Sequence, residues 1–203
     1  MLSLPQRIFV TGTDTDVGKT LVAALLCLRL NASYWKPIQA GSPTDSQRIA
    51  SWIGAAKVHR ETFVLKHPLS PNQAAEKEAL AIDPQCFELP DSPGSLVVEG
   101  AGGLLVPISR EFFMIDLIQK LTLPVVLTAR SGLGTLNHTL LSIEALKRRK
   151  IPIVGIVLNG DPHPDNARDL VHYGQVPILG QVPFMTEISL PSLTEGSRCF
   201  FYF

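Results

Sequence analysis

The sequence predicts an α/β fold, a mostly parallel sheet with helices on both faces, and three observations lead there. Apolar runs such as RIFVT (7–11), SLVVEG (95–100), LPVVLTA (123–129) and IPIVGIVLNG (151–160) are continuous, not alternating, as in strands covered on both sides. Strand and helix patterns alternate through much of the chain, the order produced by right-handed crossovers between parallel strands. Unusual polar residues and glycines gather after these runs, where the ligand crevice of such a sheet lies. At 203 residues the chain is expected to form a single domain spanning 1–203.

In order, RIFVT forms a buried strand, GTDTDVG a loop, and KTLVAALLCLRL (19–30) an apolar helix. SYWKPI (33–38) reads as a second short strand with proline at its edge. Asp45 stands at an N-cap position before SQRIASWIG, and Gly54 closes that helix. Residues 57–93 are expected to be an irregular excursion with one or two short helices. SLVVEG is a strand, EFFMIDLIQKL (111–121) has helical spacing, and LPVVLTA is a strand. TLNHTLLSIEALKRRK (135–150) is an amphipathic helix whose basic end suits the helix dipole. IPIVGIVLNG is a strand, a helix follows near 164–173, and VPILGQVP (176–183) is a short edge strand. The tail is weakly patterned, and its terminal CFFYF is suited to covering an apolar face or a partner.

Composition excludes several classes. Lys plus Arg is 18 and Asp plus Glu is 18, so the basic excess expected of a nucleic-acid binder is absent. A near-zero net charge gives little colloidal repulsion and suits self-association. Three scattered cysteines (Cys27, Cys86, Cys199) suggest neither a disulfide framework nor a metal cluster. The N-terminus runs quickly into a strand and a glycine turn, unlike a signal peptide, and no apolar run approaches the ~20 residues of a membrane span. The cytoplasm is the expected compartment, with no membrane partner.

The chemistry-bearing signal is TGTDTDVGKT (11–20) between strand and helix. A glycine-rich loop there turns backbone N–H groups toward an anion, and the following helix offers its positive end. Thr13, Asp14, Thr15, Asp16, Val17 and Gly18 would cradle nucleotide phosphates, Lys19 would reach the β and γ oxygens, and Thr20 would ligate Mg²⁺. This is a P-loop NTPase-type arrangement, although five residues separate Gly12 and Gly18 where the standard pattern has four. Lys36 in WKPIQAG is either a solvated strand-end lysine or a cation for a transferring phosphoryl group. Asp45 is either a helix cap or a magnesium ligand. Glu99 ends a buried strand beside Gly100, Gly102 and Gly103. A carboxylate there needs a cation or donors, and it reads as a second magnesium-side group, with Gly102 admitting a ligand close to the backbone. Asn159 either reads a base edge or is an ordinary turn asparagine. Asp116 reads as structural, His138 as a helix residue, and Trp35 and Trp52 as packing.

TGTDTDVGKT, WKPIQAG and VEGAGG (98–103), in that order, resemble the dethiobiotin synthetase family, with support from LPVVLTA, GLGTLNH (132–138), VLN (157–159) and PILGQVP (177–183). The resemblance implies an ATP- and Mg²⁺-dependent ring closure: 7,8-diaminononanoate takes up CO₂, the carbamate attacks the γ-phosphoryl of ATP, and the second amine closes a cyclic urea. It implies Lys19 and Lys36 offsetting developing charge, and Mg²⁺ among Thr20, Asp45 and Glu99. Thr11 and the 102–106 loop would position substrate, and Asn159 the adenine. It also implies a homodimer with the substrate site near the interface and residues 133–136 close to it.

Ala40 departs from that family, where serine or threonine often supplies a hydroxyl; Gln39 or water would have to replace it. The rivals are a partitioning or metal-insertion ATPase of the same class, and a noncatalytic nucleotide-dependent binder. Such ATPases often carry a second lysine early in the phosphate loop, and residues 11–17 contain none.

Overall fold

The computed structural model describes residues 4–201. Its elements are β1 (Arg7–Gly12), α1 (Lys19–Leu30), β2 (Ser33–Trp35), β3 (Ile38–Ala40), α2 (Asp45–Ile53), β4 (Phe63–Leu65), α3 (Pro71–Lys77), β5 (Leu96–Gly103), α4 (Met114–Leu121), β6 (Val125–Arg130), α5 (Thr135–Arg148), β7 (Ile153–Asn159), α6 (Pro164–Gly174), β8 (Ile178–Val182) and α7 (Leu190–Cys199). Six strands form one sheet in the order β2-β5-β1-β6-β7-β8, and every pairing in it is parallel.

Alternate residues of the strands feed two cores. Phe9, Val98, Val125, Leu127 and Ile156 face the side built with α4 and α5. Ile8, Val10, Val97, Val126 and Val157 face α1 and α7. Helix α1 is buried over Val22, Ala23, Ala24, Leu25, Leu26 and Cys27, because it is wedged between sheet and helices. It stops at Asn31, whose left-handed backbone (φ 49°) lets its N–H close on the Cys27 and Leu28 carbonyls. Helix α5 buries only Thr135, Thr139, Ile143 and Leu146, one stripe at helical spacing.

The expected 33–38 strand is in fact broken. Pro37 has no N–H to offer a ladder, so pairing with β5 ends at Trp35↔Val98. The chain then diverges and Ile38–Ala40 pairs with Phe63–Leu65 in a separate two-stranded parallel sheet. That second pairing partner lies inside the stretch read as irregular, which otherwise contains the anticipated short helix α3 and a single 3₁₀ turn at Pro84–Cys86. The helix expected from 111 begins at Met114, where the Asp116 carboxylate caps the Phe113 N–H.

The tail is more ordered than its pattern suggested. Helix α7 starts under a Ser189 cap, and at Gly196 an added Cβ would lie 3.2 Å from Leu25 of α1. Beyond it, Phe201 bridges Gly180 on β8 and is 5% exposed in the α1-side core. The C-terminal segment therefore does cover an apolar face; Tyr202 and Phe203 lie outside the described residues. Among the described residues no helix is long and apolar enough to cross a membrane.

Candidate functional site

Register explains why the chemistry converges. With Trp35 opposite Val98 and Val10 opposite Glu99, Lys36 emerges beside Glu99 at the C-terminal edge of the sheet. Tyr34, two residues before Lys36, points to the same face. That face is the one covered by α1, whose second residue is Thr20.

Glu99 is 1% exposed and every contact on it is a donor. Its Oε1 accepts from Thr20 Oγ1 at 2.9 Å and from Lys36 Nζ at 3.0 Å, and its Oε2 accepts from the Tyr34 hydroxyl at 2.8 Å. Lys36, itself 3% exposed, also donates to Asp45 Oδ2 at 2.6 Å and to the Gly100 carbonyl at 3.3 Å. Burial pulls the Lys36 ammonium down, but the charges of Glu99 and Asp45 outweigh it and hold the pKa above its ordinary value. Burial would raise Asp45, yet Lys36 holds that carboxyl below its usual range. Burial, then the Glu99 charge, pushes the Tyr34 phenol well above its normal value, so it stays a neutral donor.

Asp45 is not the cap it was expected to be. Thr44 caps α2 in a reciprocal box with Gln47, leaving Asp45 in the first turn with its carboxylate free to face Lys36. The Asp45 N–H donates to Gln39 Oε1 at 3.1 Å, which ties β3 to α2. Gln39 Nε2 meanwhile donates to the Ala40 carbonyl at 3.0 Å. Both ends of that amide are engaged, so Gln39 does not stand in for the hydroxyl missing at Ala40.

The phosphate loop is shaped around its glycines. Gly18 has φ 92°, and a Cβ there would fall 2.1 Å from Asn159 Nδ2. Asn159 donates to the Val17 carbonyl at 3.0 Å, bracing the loop from β7. Lys19 folds back to donate to the Asp14 carbonyl at 2.8 Å. Burial pushes its pKa below the ordinary lysine value, with Glu99 opposing. The Asp14 carboxylate accepts from Thr15 N at 2.7 Å, and Thr13 N donates to the Thr128 carbonyl at 3.0 Å.

Thr15, Asp16, Gly18, Lys19, Thr20, Lys36, Asp45, Glu99 and Gly102 all open on one cleft of about 610 Å³. Thr13 and Asp14 line an adjoining groove of about 400 Å³ with Gly103, Leu105 and His138. Val17 turns inward, 1% exposed. Thr11 is fully buried in β1, its hydroxyl makes no hydrogen bond, and it lines neither cavity. Asn159 does not line the cleft; it sits against the loop at Val17 and Gly18. The sequence reading missed Tyr34, which looks like strand filler in SYW. It also missed Arg130, whose guanidinium donates to the Thr15 carbonyl at 3.2 Å; a basic residue ending the apolar run after LPVVLTA was the available signal.

The donor set suits a hard divalent cation. Two carboxylates, Asp45 and Glu99, share the Lys36 ammonium, and the Thr20 hydroxyl bonds to one of them, so three oxygen-bearing side chains converge. Among the described residues no group of three or more His, Cys, Asp and Glu exists, so phosphate oxygens and water would have to complete a magnesium shell, as they do on nucleotides.

The chain has extended likenesses to known proteins. The AAA domain family matches residues 6–192. A biotin biosynthesis bifunctional protein of Bordetella avium is 50% identical over 199 residues, covering 96% of this chain but 43% of that relative. The ATP-dependent dethiobiotin synthetase of Paramagnetospirillum magneticum is 47% identical over 192 residues, covering 94% of this chain and 91% of its own length. Among solved structures, a ParA family ATPase from Chlorobium tepidum superposes with a TM-score of 0.57 over 97% of this chain and all of that one, at 11% identity, a likeness of fold alone.

Proposed function

The chain belongs to the ATP-dependent dethiobiotin synthetase family, and from that premise we propose that it closes the cyclic urea of dethiobiotin from 7,8-diaminononanoate, CO₂ and ATP. The amine and CO₂ give a carbamate. A carbamate oxygen attacks the γ-phosphorus as ADP departs, and the second amine attacks the carbonyl carbon of the mixed anhydride. The C–O bond to phosphate breaks and the nitrogens lose their protons.

The observation that carries this reading is that two buried ammonium groups, Lys19 and Lys36, open on the same cleft as the phosphate loop. One serves the nucleotide phosphates. The other, held by Asp45 and Glu99 on the cleft wall, would turn to the carbamate and the transferring phosphoryl group and offset their charge, so catalysis is chiefly alignment and electrostatic stabilisation. When bound, Mg²⁺ would supply charge neutralisation on the phosphates, held by Thr20, Asp45 and Glu99. Backbone N–H groups of 16–18, those of Thr13 and Thr15 being engaged within the protein, would bind phosphate oxygens, and the glycines around Gly102 would let substrate approach. Asn159 holds the loop through Val17 and leaves its carbonyl oxygen for the adenine. Thr11 is buried, so its contribution is through the strand end it shapes. The working form is read as a homodimer of a single P-loop domain with substrates entering near the interface.

The test is mass detection of the cyclic urea after incubating protein with diaminononanoate, bicarbonate, Mg²⁺ and ATP. Product that requires all four is the expected result. Diamine-stimulated ATP hydrolysis without product would defeat ring closure and favour a different acceptor. The absence of both would favour a nucleotide-dependent binder, the reading that the alanine at position 40 and the engaged Gln39 amide would then support.

A further inference from the structure

The group between the two carboxylates is an ammonium. Lys36 Nζ lies 2.6 Å from Asp45 Oδ2 and 3.0 Å from Glu99 Oε1, and its third hydrogen bond goes to the Gly100 carbonyl. All three of its N–H bonds have acceptors. Thr20, the remaining oxygen of the set, donates its proton to the same Glu99 oxygen. The cation-binding atoms of this cleft are therefore satisfied by the protein's own cation.

We propose that Lys36 is the resident cation of the Asp45–Glu99 pair, a competitor that divalent metal must displace, so that metal is taken up only together with nucleotide phosphates. The inference rests on the nucleotide–metal reading of this site and adds an order of events to it.

Charge supports it. Lys19, Lys36 and Arg48 balance Asp16, Asp45 and Glu99 in the cleft. Metal alone would add two positive charges beside Lys36, which is 3% exposed and would keep only the Gly100 carbonyl as an acceptor, and uncompensated buried charge is strongly unfavourable. A nucleotide brings its own negative charge, relieves that excess, and offers Lys36 phosphoryl oxygens in exchange for carboxylates. Distance supports it too, because a magnesium ion needs oxygens at about 2.0–2.1 Å, and a set spaced around an ammonium must close in before it can serve a metal. The same exchange delivers Lys36 to the substrate side at the moment the phosphates arrive.

The experiment measures Mn²⁺ binding by electron paramagnetic resonance, with and without ADP, for the wild type and for Lys36→Met. Wild type is expected to bind Mn²⁺ at least about ten-fold more tightly with ADP than without. Lys36→Met is expected to bind it without nucleotide at least about ten-fold more tightly than wild type does, since the carboxylates lose their internal cation. Adding Glu99→Gln to that variant should remove the gain. Wild-type binding of Mn²⁺ alone as tight as with ADP overturns the proposal, as does a folded Lys36→Met with no gain. Should Lys36→Met not fold, ¹⁵N-lysine spectra of the wild type decide. The Lys36 ammonium signal should move on adding Mg²⁺ with ADP and not with Mg²⁺ alone; any other pattern overturns the idea. If Mn²⁺ fails to bind even with ADP, the nucleotide–metal reading itself falls. If it binds with ADP while Lys36 stays in place, only the present inference does.

Discussion

Glu99 and Lys36 were legible because each is costly where it stands. A carboxylate within a buried strand needs donors, and a lysine beside Pro37 invites a partner. Tyr34 was not legible, because in a buried strand its ring reads as apolar filler and only the register shows its hydroxyl 2.8 Å from Glu99. Removing that hydroxyl leaves a fully buried carboxylate oxygen short of a donor, at about 1–3 kcal/mol. Tyr34→Phe should therefore lower unfolding free energy by that order in a urea melt; an unchanged midpoint would show that the bond contributes nothing net. The ion cluster also sets a pH signature. Asp45 is held below its ordinary pKa of 3.8, so its stabilisation is present above that value and disappears as pH falls through the lower, folded one. Lys36 is held above 10.5, so its share is complete below that value and is lost as pH rises through the folded one. In Lys36→Met the Asp45 carboxylate keeps only Arg48 and Thr20 against burial, so its hold below the ordinary value should weaken and the variant should lose less stability on acidification than wild type. Melting temperatures across pH 3–7 compare the two, and parallel curves would dissolve the claimed coupling.

At the scale of elements, periodicity and glycine punctuation located most of the sheet and its helices, since strands buried on both faces and helices with one buried stripe announce themselves. Three pieces escaped. The break at Pro37, and with it β3–β4, is decided by long-range pairing of Ile38 with Phe63. Helix α7, poor in apolar residues, owes its place to contact with α1. The N-cap moved from Asp45 to Thr44 because two adjacent polar residues can each serve, and Gln47 completes a box only with Thr44. That one-residue difference decides whether Asp45 reaches the cleft. Thr44→Ala should cost about 1 kcal/mol of stability and loosen Asp45, weakening Mg²⁺-dependent nucleotide binding; calorimetric titration that finds affinity intact would separate the cap from the site. Gly180 is a second lever. A Cβ there would lie 2.3 Å from the Phe200 carbonyl, so Gly180→Ala should detach the C-terminal segment from β8 and lower the melting temperature with little effect on the phosphate loop. An unchanged melting temperature would mean the segment is not held there.

For the molecule as a whole, the neutral charge balance and a set of exposed leucines suit the homodimer proposed above. Leu105 is 64% exposed, Leu141 58%, and Leu133, on the turn into α5, is entirely exposed. Leu105 and Leu141 line the groove that adjoins the phosphate loop at Thr13 and Asp14. Leucines scattered singly on a surface need no explanation, but two that share a groove beside a binding cleft are what an interaction surface would carry, and in the proposed homodimer a second copy seated there would wall off that groove. A stable pairing buries about 1,200–2,000 Å² in total, which a face including α5 and the 102–107 loop could supply. The chain is 22.1 kDa, so sedimentation at micromolar concentration should give about twice that mass. Leu133→Lys combined with Leu141→Glu should return it to the monomer while ADP binding at the phosphate loop persists, because neither residue touches that loop's hydrogen bonds. Ring closure should fall in the same variant even at saturating ATP, since the groove would have lost its far wall. A wild type that sediments as a monomer, or a monomeric variant with full turnover, would place the whole active site within one chain and leave the three leucines without a role.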